Sequence, residues 1–175
     1  RHGGVVALYG DDHSCKSSSI PHQSEHVLIG TAIPIFYPTS VQQILDFGVH
    51  AVALSRIAGV LTSMKLVSEI VETSASVDVT LDRVRPQLDF TCERPEDGLN
   101  IRWPDRSLLQ EERLYRYRIP AALAYLRANR LSRVTWDSPQ ARIGIVGSGK
   151  GYLDMVEALR MLGLEGEPAQ RIGLR

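Results

Sequence analysis

Two apolar runs of only five residues, VVALY at 5–9 and IPIFY at 33–37, constrain this chain most. Each is valine-, isoleucine- or aromatic-rich, bounded by glycine or proline, and too short for a buried helix. Such runs fit strands covered on both faces, as in a parallel sheet. Parallel strands need a crossover between them, usually helical. Pro21 can open one, predicting a helix over 22–32. After Pro38, Ser40 and Gln43 stand at capping-box spacing. Val41, Ile44, Leu45, Val49, Val52 and Ala53 then recur at helical intervals, with a break expected at 56–59. Val60, Met64, Val67 and Val71 share the face of a further predicted helix, and the alternating ASVDV at 75–79 reads as a third strand. The first eighty residues therefore predict an α/β fold with a parallel sheet and covering helices.

The pattern then changes. Leu88, Phe90 and Cys92 alternate with polar residues, as do Leu99, Ile101 and Trp103, and the Asp97-Gly98 pair between them predicts a hairpin. A long helix is expected from about Ser107, with Leu114, Tyr117, Ala121, Ala124, Ala128 and Leu131 as its stripe. Pro120 falls inside it and should kink or divide it. A short strand is expected over 133–136. IGIV at 143–146 followed by GSGKG and a helix over 152–162 reads as one more βα unit, which alone cannot bury its strand. The opening RHGGVVALYG has no methionine and almost no lead-in to its strand. Both ends lead us to expect an excised piece of a longer protein.

Composition excludes several classes. Twenty basic and twenty acidic residues cancel, with a pI near 7.1, so nothing points to nucleic acid or an anionic membrane. No apolar run approaches the ~20 residues of a membrane span, and no secretory signal opens the chain. Two cysteines, Cys15 and Cys92, are too few for a disulfide framework or a Cys₄ metal or iron–sulfur site, and fit a reducing cytoplasmic home.

The loop GDDHSCKSSSIPHQSEH, at 10–26, carries the candidate chemistry. It follows the first strand, and in open α/β sheets ligands bind beyond the carboxyl ends of strands. A metal site built on His22 and His26, completed by His13, Cys15 or an aspartate, has i, i+4 spacing but lacks the HExxH glutamate. Ser17, Ser18 and Ser19 lack a G-x-S-x-G elbow and fit turn and cap positions better than a nucleophile. In GIVGSGKG, Gly151 stands where a P-loop needs Ser or Thr for magnesium, so the glycines fit a tight strand-to-helix turn around Lys150. On residues alone, the loop is a ligand-facing one with an undefined ligand.

Several long stretches, in order, resemble the indolepyruvate:ferredoxin oxidoreductases, thiamine-diphosphate-dependent 2-oxoacid:ferredoxin oxidoreductases. They are GDDHSCKSSSIPHQSEH, YPTSVQQILDFGVHAVALSR, MKLVSEIVETSASVDV, GLNIRWPD, YRIPAALAYLRANRL and DSPQARIGIV. The resemblance covers essentially the whole chain, which would be an internal segment of such an enzyme. It implies that residues 1–80 are the second half of a pyrimidine-binding domain. Residues 81–140 would be a connection with hairpin and helix, and 141–175 the start of a domain like the C-terminal domain of transketolase. It implies oxidative decarboxylation of an aryl-2-oxoacid to an acyl-coenzyme A, with electrons passing to ferredoxin. Thiamine diphosphate with Mg²⁺ and iron–sulfur clusters would serve the parent enzyme, and a homo-oligomer is expected. His22-Gln23 is similar to a histidine–glutamine pair that faces cofactor and substrate in transketolase-like enzymes. His22 is then the catalytic candidate, holding an oxyanion or shuttling a proton; the alternative is a helix-start residue satisfying backbone groups. Asp12, His13, Ser18 and Gln23 are the cofactor-facing candidates. A GDG-type diphosphate segment, a cysteine cluster and the pyrimidine-activating glutamate are absent from these residues. No cofactor is therefore expected in this segment alone, and it should be inert alone. Two alternatives stand beside this: a non-catalytic interaction module that kept the fold, and a small phosphate-binding protein using GSGKG.

Overall fold

The computed structural model describes residues 3–100 and 103–175, so Ile101 lies outside the described residues. The fold is α/β, built on a three-stranded, all-parallel sheet in the order β1-β3-β2. Strand β1 is Val6–Asp11, β2 is Ile35–Phe36 and β3 is Thr62–Val67. Helix α1, Glu25–Gly30, and helix α2, Val41–Ala58, make the crossovers. A four-residue helix α3, Ser68–Val71, follows β3 directly.

Helix α2 is the longest element, and its ends explain its length. Ser40 Oγ accepts from the Gln43 N–H at 3.3 Å, and Gln43 Oε1 accepts from the Thr39 N–H at 2.8 Å. The helix ends within the break expected at 56–59, at Gly59, whose φ of 67° is the left-handed cap. A side chain at Gly59 would meet the Leu99 carbonyl. Ala51, Leu54 and Ala58 of α2 pack with Phe36, Val60, Met64, Leu99, Ala121, Ala122 and Tyr125 to form the core.

The helix expected from Val60 is instead the central strand. β3 lies between two partners and under helices, so five of its six residues are buried. A strand buried on both faces shows no clean alternation, and its apolar residues matched helical spacing by coincidence. The strand expected at 75–79 does not form. Asp78 gives its backbone to α2 instead: its N–H donates to Gln42 Oε1 at 2.7 Å and its carbonyl accepts from Gln42 Nε2 at 3.2 Å. Nor does a hairpin form around Asp97-Gly98. Gly98 does make the turn, with φ 80° and its N–H on the Pro95 carbonyl at 2.9 Å. Arginines from the next helix hold it: Arg113 forks onto both Asp97 oxygens at 2.7 and 2.9 Å, and Arg118 Nε donates to the Leu99 carbonyl at 2.6 Å.

Pro120 divides its helix as expected. Helix α4, Ser107–Arg113, widens into a π-helical turn at Leu114–Arg118 before α5, Ile119–Ala128, which carries the proline in its first turn. A proline lacks the N–H that an unbroken ladder would need there, and a π turn is one way to absorb the defect. Tyr125 of α5 is fully buried, bonded to His50 Nδ1 at 2.9 Å. Residues 133–136 form no strand. The strand expected at 143–146 is reduced to one parallel bridge, Ile143 to Leu174, flanked by hydrogen bonds from Arg142 and Ile143 to the Gly173 carbonyl. Helices α6, Gly149–Met161, and α7, Glu167–Ile172, complete the chain. Without sheet neighbours the tail leaves Val146 and Leu162 largely exposed.

Candidate functional site

β1 ends at Asp11 and is followed by Asp12, two aspartates of opposite duty. Asp12 turns its carboxylate back into the loop that it opens. Its Oδ1 accepts from the Lys16 N–H at 2.9 Å, and its Oδ2 from the Ser17 and Ser18 N–H groups at 2.6 and 2.9 Å. Ser68 Oγ adds a fourth donor at 3.2 Å. These bonds, the Ser17 amide foremost, hold the Asp12 pKa at about 2. The Asp12 carbonyl also accepts from the His22 N–H at 3.3 Å, an antiparallel bridge that folds the loop back on itself.

Asp11 faces the other way, into a buried cluster. Ser24 donates to it twice, from its N–H at 2.9 Å and its Oγ at 2.7 Å. Ser24 is the N-cap residue of α1, but its side chain is tied to Asp11 and makes no cap bond; α1 starts at Glu25, three residues later than the sequence implied. Lys65 Nζ lies 3.2 Å from Asp11 Oδ2. The Lys65 side chain is fully buried, reaching from the middle of β3 to contact Glu25 Oε1 and, at 2.7 Å, His13 Nε2. Its ammonium also sits 4.9 Å from the centre of the Tyr37 ring. Burial is the largest influence on both Asp11 and Glu25 and works to raise their pKa values. Hydrogen bonds from Ser24 to Asp11, and from Lys65 to both, outweigh it and keep each carboxyl below its ordinary value. The Tyr37 phenol is pushed up by burial and then by the nearby carboxylates.

The loop brings together four of the five site residues that the resemblance implied. His22 is part-exposed at the mouth, with Nδ1 3.4 Å from Asp11 Oδ1 and Nε2 3.4 Å from Ser18 Oγ. Ser18 lies between Asp12 and His22, and His13 is an exposed residue resting on Lys65. Gln23 points outward as an exposed residue. His22 and His26 do not share a helix face, since α1 begins only at Glu25, so their metal spacing has no geometric counterpart. The group with metal-like geometry among the described residues is Asp11, His13 and Glu25, whose ligand atoms all lie within 4.8 Å of one another. The Lys65 ammonium already contacts all three. Sequence reasoning missed Asp11, Ser24, Glu25, Tyr37 and above all Lys65. The signal was a lone lysine inside TSMKLV, a run that otherwise has only small and apolar residues.

The GSGKG turn is built differently. Lys150 Nζ donates to Asp154 Oδ1, one turn along α6, at 2.5 Å. Gly149 has φ 55° and is packed against the Tyr37 ring so closely that any side chain would collide with it. Gly149 thus serves close packing of α6 onto Tyr37 at the end of β2. Beside that contact runs a cleft of about 650 Å³ lined by residues that include Phe36, Phe47, Leu131, Trp136 and Tyr152.

Comparison with known proteins extends this description. A family model described as the indolepyruvate oxidoreductase domain matches residues 133–175. An indolepyruvate oxidoreductase subunit IorA from Methanothermobacter marburgensis is 24% identical over 172 residues, 97% of this chain and 27% of the relative. Its counterpart from Methanothermobacter thermautotrophicus is 26% identical over 166 residues, 93% of this chain and 26% of the relative. The chain thus spans about a quarter of the length of these curated relatives. No solved structure matches it. Among the described residues, no helix is long and apolar enough to cross a membrane. The domain match at the carboxyl-terminal end and the near full-length similarity to both archaeal subunits thus agree in what this chain is similar to, proteins named for indolepyruvate oxidoreductase.

Proposed function

We propose that this chain forms one wall of the active site of an oxidoreductase that oxidatively decarboxylates an aryl-2-oxoacid of the indolepyruvate type. The acyl group would go to coenzyme A and the electrons to ferredoxin. The observation that carries the reading is the setting of His22: an imidazole at the carboxyl end of a parallel strand, with a buried carboxylate on one nitrogen and a hydroxyl on the other. That arrangement suits a group that holds or moves a proton, with Asp11 biasing the ring proton toward Nδ1 and leaving Nε2 toward Ser18.

The donor set fits the polar rim of a thiamine-type heterocycle better than a diphosphate. It consists of two imidazoles, the Ser18 hydroxyl and the exposed Gln23 amide, while Asp12 is engaged by the loop backbone. When bound, thiamine diphosphate would supply the carbanion chemistry of the decarboxylation. This chain's part is to present Ser18, His13, His22 and Gln23 from a loop whose shape Asp12 fixes. Asp11 and Lys65 orient the two imidazoles. The remainder of a longer polypeptide would carry the diphosphate, magnesium and iron–sulfur sites, in a cytoplasmic homo-oligomer.

The test is His22→Ala in the longer enzyme. Turnover with indolepyruvate should fall by roughly 10²- to 10⁴-fold if His22 does acid–base work, with folding intact. Unchanged kinetics in a well-folded variant would leave His22 as a residue that only closes the loop through its bridge to Asp12.

A further inference from the structure

Lys65 is the least expected group in this fold: a lysine with no exposed side-chain surface, in the middle of the central strand. An ammonium has three protons to donate and no lone pair with which to accept. It has three acceptors here: Asp11 Oδ2 at 3.2 Å, Glu25 Oε1, and His13 Nε2 at 2.7 Å. Two carboxylates face the same nitrogen, the arrangement that suits an ammonium donor. The consequence falls on His13. A ring nitrogen that accepts from an ammonium carries no proton of its own, so in a neutral His13 the proton must be on Nδ1. Free imidazole side chains favour the opposite, Nε2–H form. His13 is exposed, and among the described residues its Nδ1 makes no hydrogen bond.

We infer that Lys65 locks His13 in the Nδ1–H form and thereby makes it the pocket's standing hydrogen-bond donor, aimed at a carbonyl or carboxylate oxygen of the bound ligand. The donor role rests on the reading of this loop as ligand-facing; the lock itself does not. Lys65 is then a positioning residue that acts through His13. The same ammonium contacts Asp11, His13 and Glu25, whose ligand atoms lie close enough to share a metal ion. The pocket acquires two imidazoles of different duty: His22 with Nε2 open toward Ser18, and His13 with Nδ1–H open toward ligand. Divergent environments for paired titratable groups are how one site assigns donor and acceptor roles.

Two-bond ¹⁵N–¹H correlation spectra of the ¹⁵N-labelled 175-residue chain report which ring nitrogen bears the proton. They should be recorded at about pH 8.5, well above the ordinary imidazole value of about 6.5. His13 should show a protonated Nδ1 and a bare Nε2. An Nε2–H form, or a doubly protonated ring, overturns the inference. Lys65→Met should release His13 to the Nε2–H form, and a folded Lys65→Met that keeps Nδ1–H shows that Lys65 is not the cause. If that variant fails to fold, Lys65→Arg, which also only donates, should retain Nδ1–H, and its loss would overturn the lock. Titration with sodium indolepyruvate then separates the two layers. A shift of the His13 Nδ1 signal supports the donor role. A silent His13 beside shifting neighbours overturns it. No shift anywhere, with the Nδ1–H form present, leaves the lock standing and defeats the ligand-facing reading along with the donor role.

Discussion

Asp12 shows how a carboxylate that opens a polar loop can serve the loop's own backbone. Three consecutive amides, from Lys16 to Ser18, converge on its two oxygens, and Ser68 adds a hydroxyl from α3. All four favour the ionised form, which is why its pKa lies at about 2 rather than 3.8. The folded value is the lower one, so the stabilisation is fully present above the unfolded value and is lost as pH falls through the folded one. The amide proton shifts of Ser17 and Ser18 should therefore titrate together with a midpoint of about 2. A midpoint near 3.8 would mean that the carboxylate is not held. At this scale the sequence was partly legible. A dense set of Asp, His and Ser residues after a short apolar run marked the loop, and Asp12, His13, Ser18 and His22 do lie together. Lys65 was illegible for a physical reason. Its three partners are 40 to 54 residues away in sequence, and nothing local to TSMKLV signals that its lysine has acceptors waiting.

Elements with their own end signals were the ones that could be read. α2 carries a cap at Ser40, a reciprocal glutamine at Gln43 and a left-handed glycine at its end, so its sequence nearly suffices for its existence. β3 carries no such punctuation, and only its place between β1 and β2 makes it a strand. The stretch at 75–79 alternates like a strand, but the Gln42 amide takes both polar groups of Asp78 before any ladder can. The end of α2 gives the sharpest test at this level. Gly59 combines φ 67° with a neighbouring Leu99 carbonyl that a Cβ would strike. Gly59→Ala should destabilise the fold by about 1–3 kcal/mol from backbone strain alone, and more if Leu99 cannot move. Urea unfolding reads this as a lower midpoint at unchanged slope. Leu54→Ala, in the fully buried face of the same helix, should cost about 2–5 kcal/mol through the cavity it leaves. If Gly59→Ala were as stable as the parent, the left-handed cap would not be what ends α2.

For the whole molecule the question is whether these 175 residues, about a quarter of the length of the curated relatives, could hold thiamine diphosphate by themselves. The described residues place hydrogen-bonding side chains beyond the carboxyl ends of the strands, which is where open α/β sheets bind ligands. A diphosphate makes a different demand, for backbone amides and unpaired cations around a dense negative charge. The two places that resemble such a cradle are both engaged. At the GSGKG turn, Lys150 is paired with Asp154, and Gly149 is closed off by the Tyr37 ring. In the opening loop, the amides of Lys16, Ser17 and Ser18 converge, but Asp12 already fills them with its own carboxylate. A second anion there would meet that charge at a few ångströms. The net charge of zero offers no long-range attraction to compensate. The 175-residue chain should accordingly show no saturable binding of thiamine diphosphate with magnesium in a calorimetric titration, and no indolepyruvate-dependent reduction of ferredoxin. The same titration with ATP and magnesium should be equally flat, and Lys150→Ala should leave both unchanged. Saturable micromolar binding of thiamine diphosphate would mean that the diphosphate site lies within these residues after all. If Asp12→Asn created such binding where the parent had none, the Asp12 carboxylate would be identified as the group that keeps the loop's amides closed to anions.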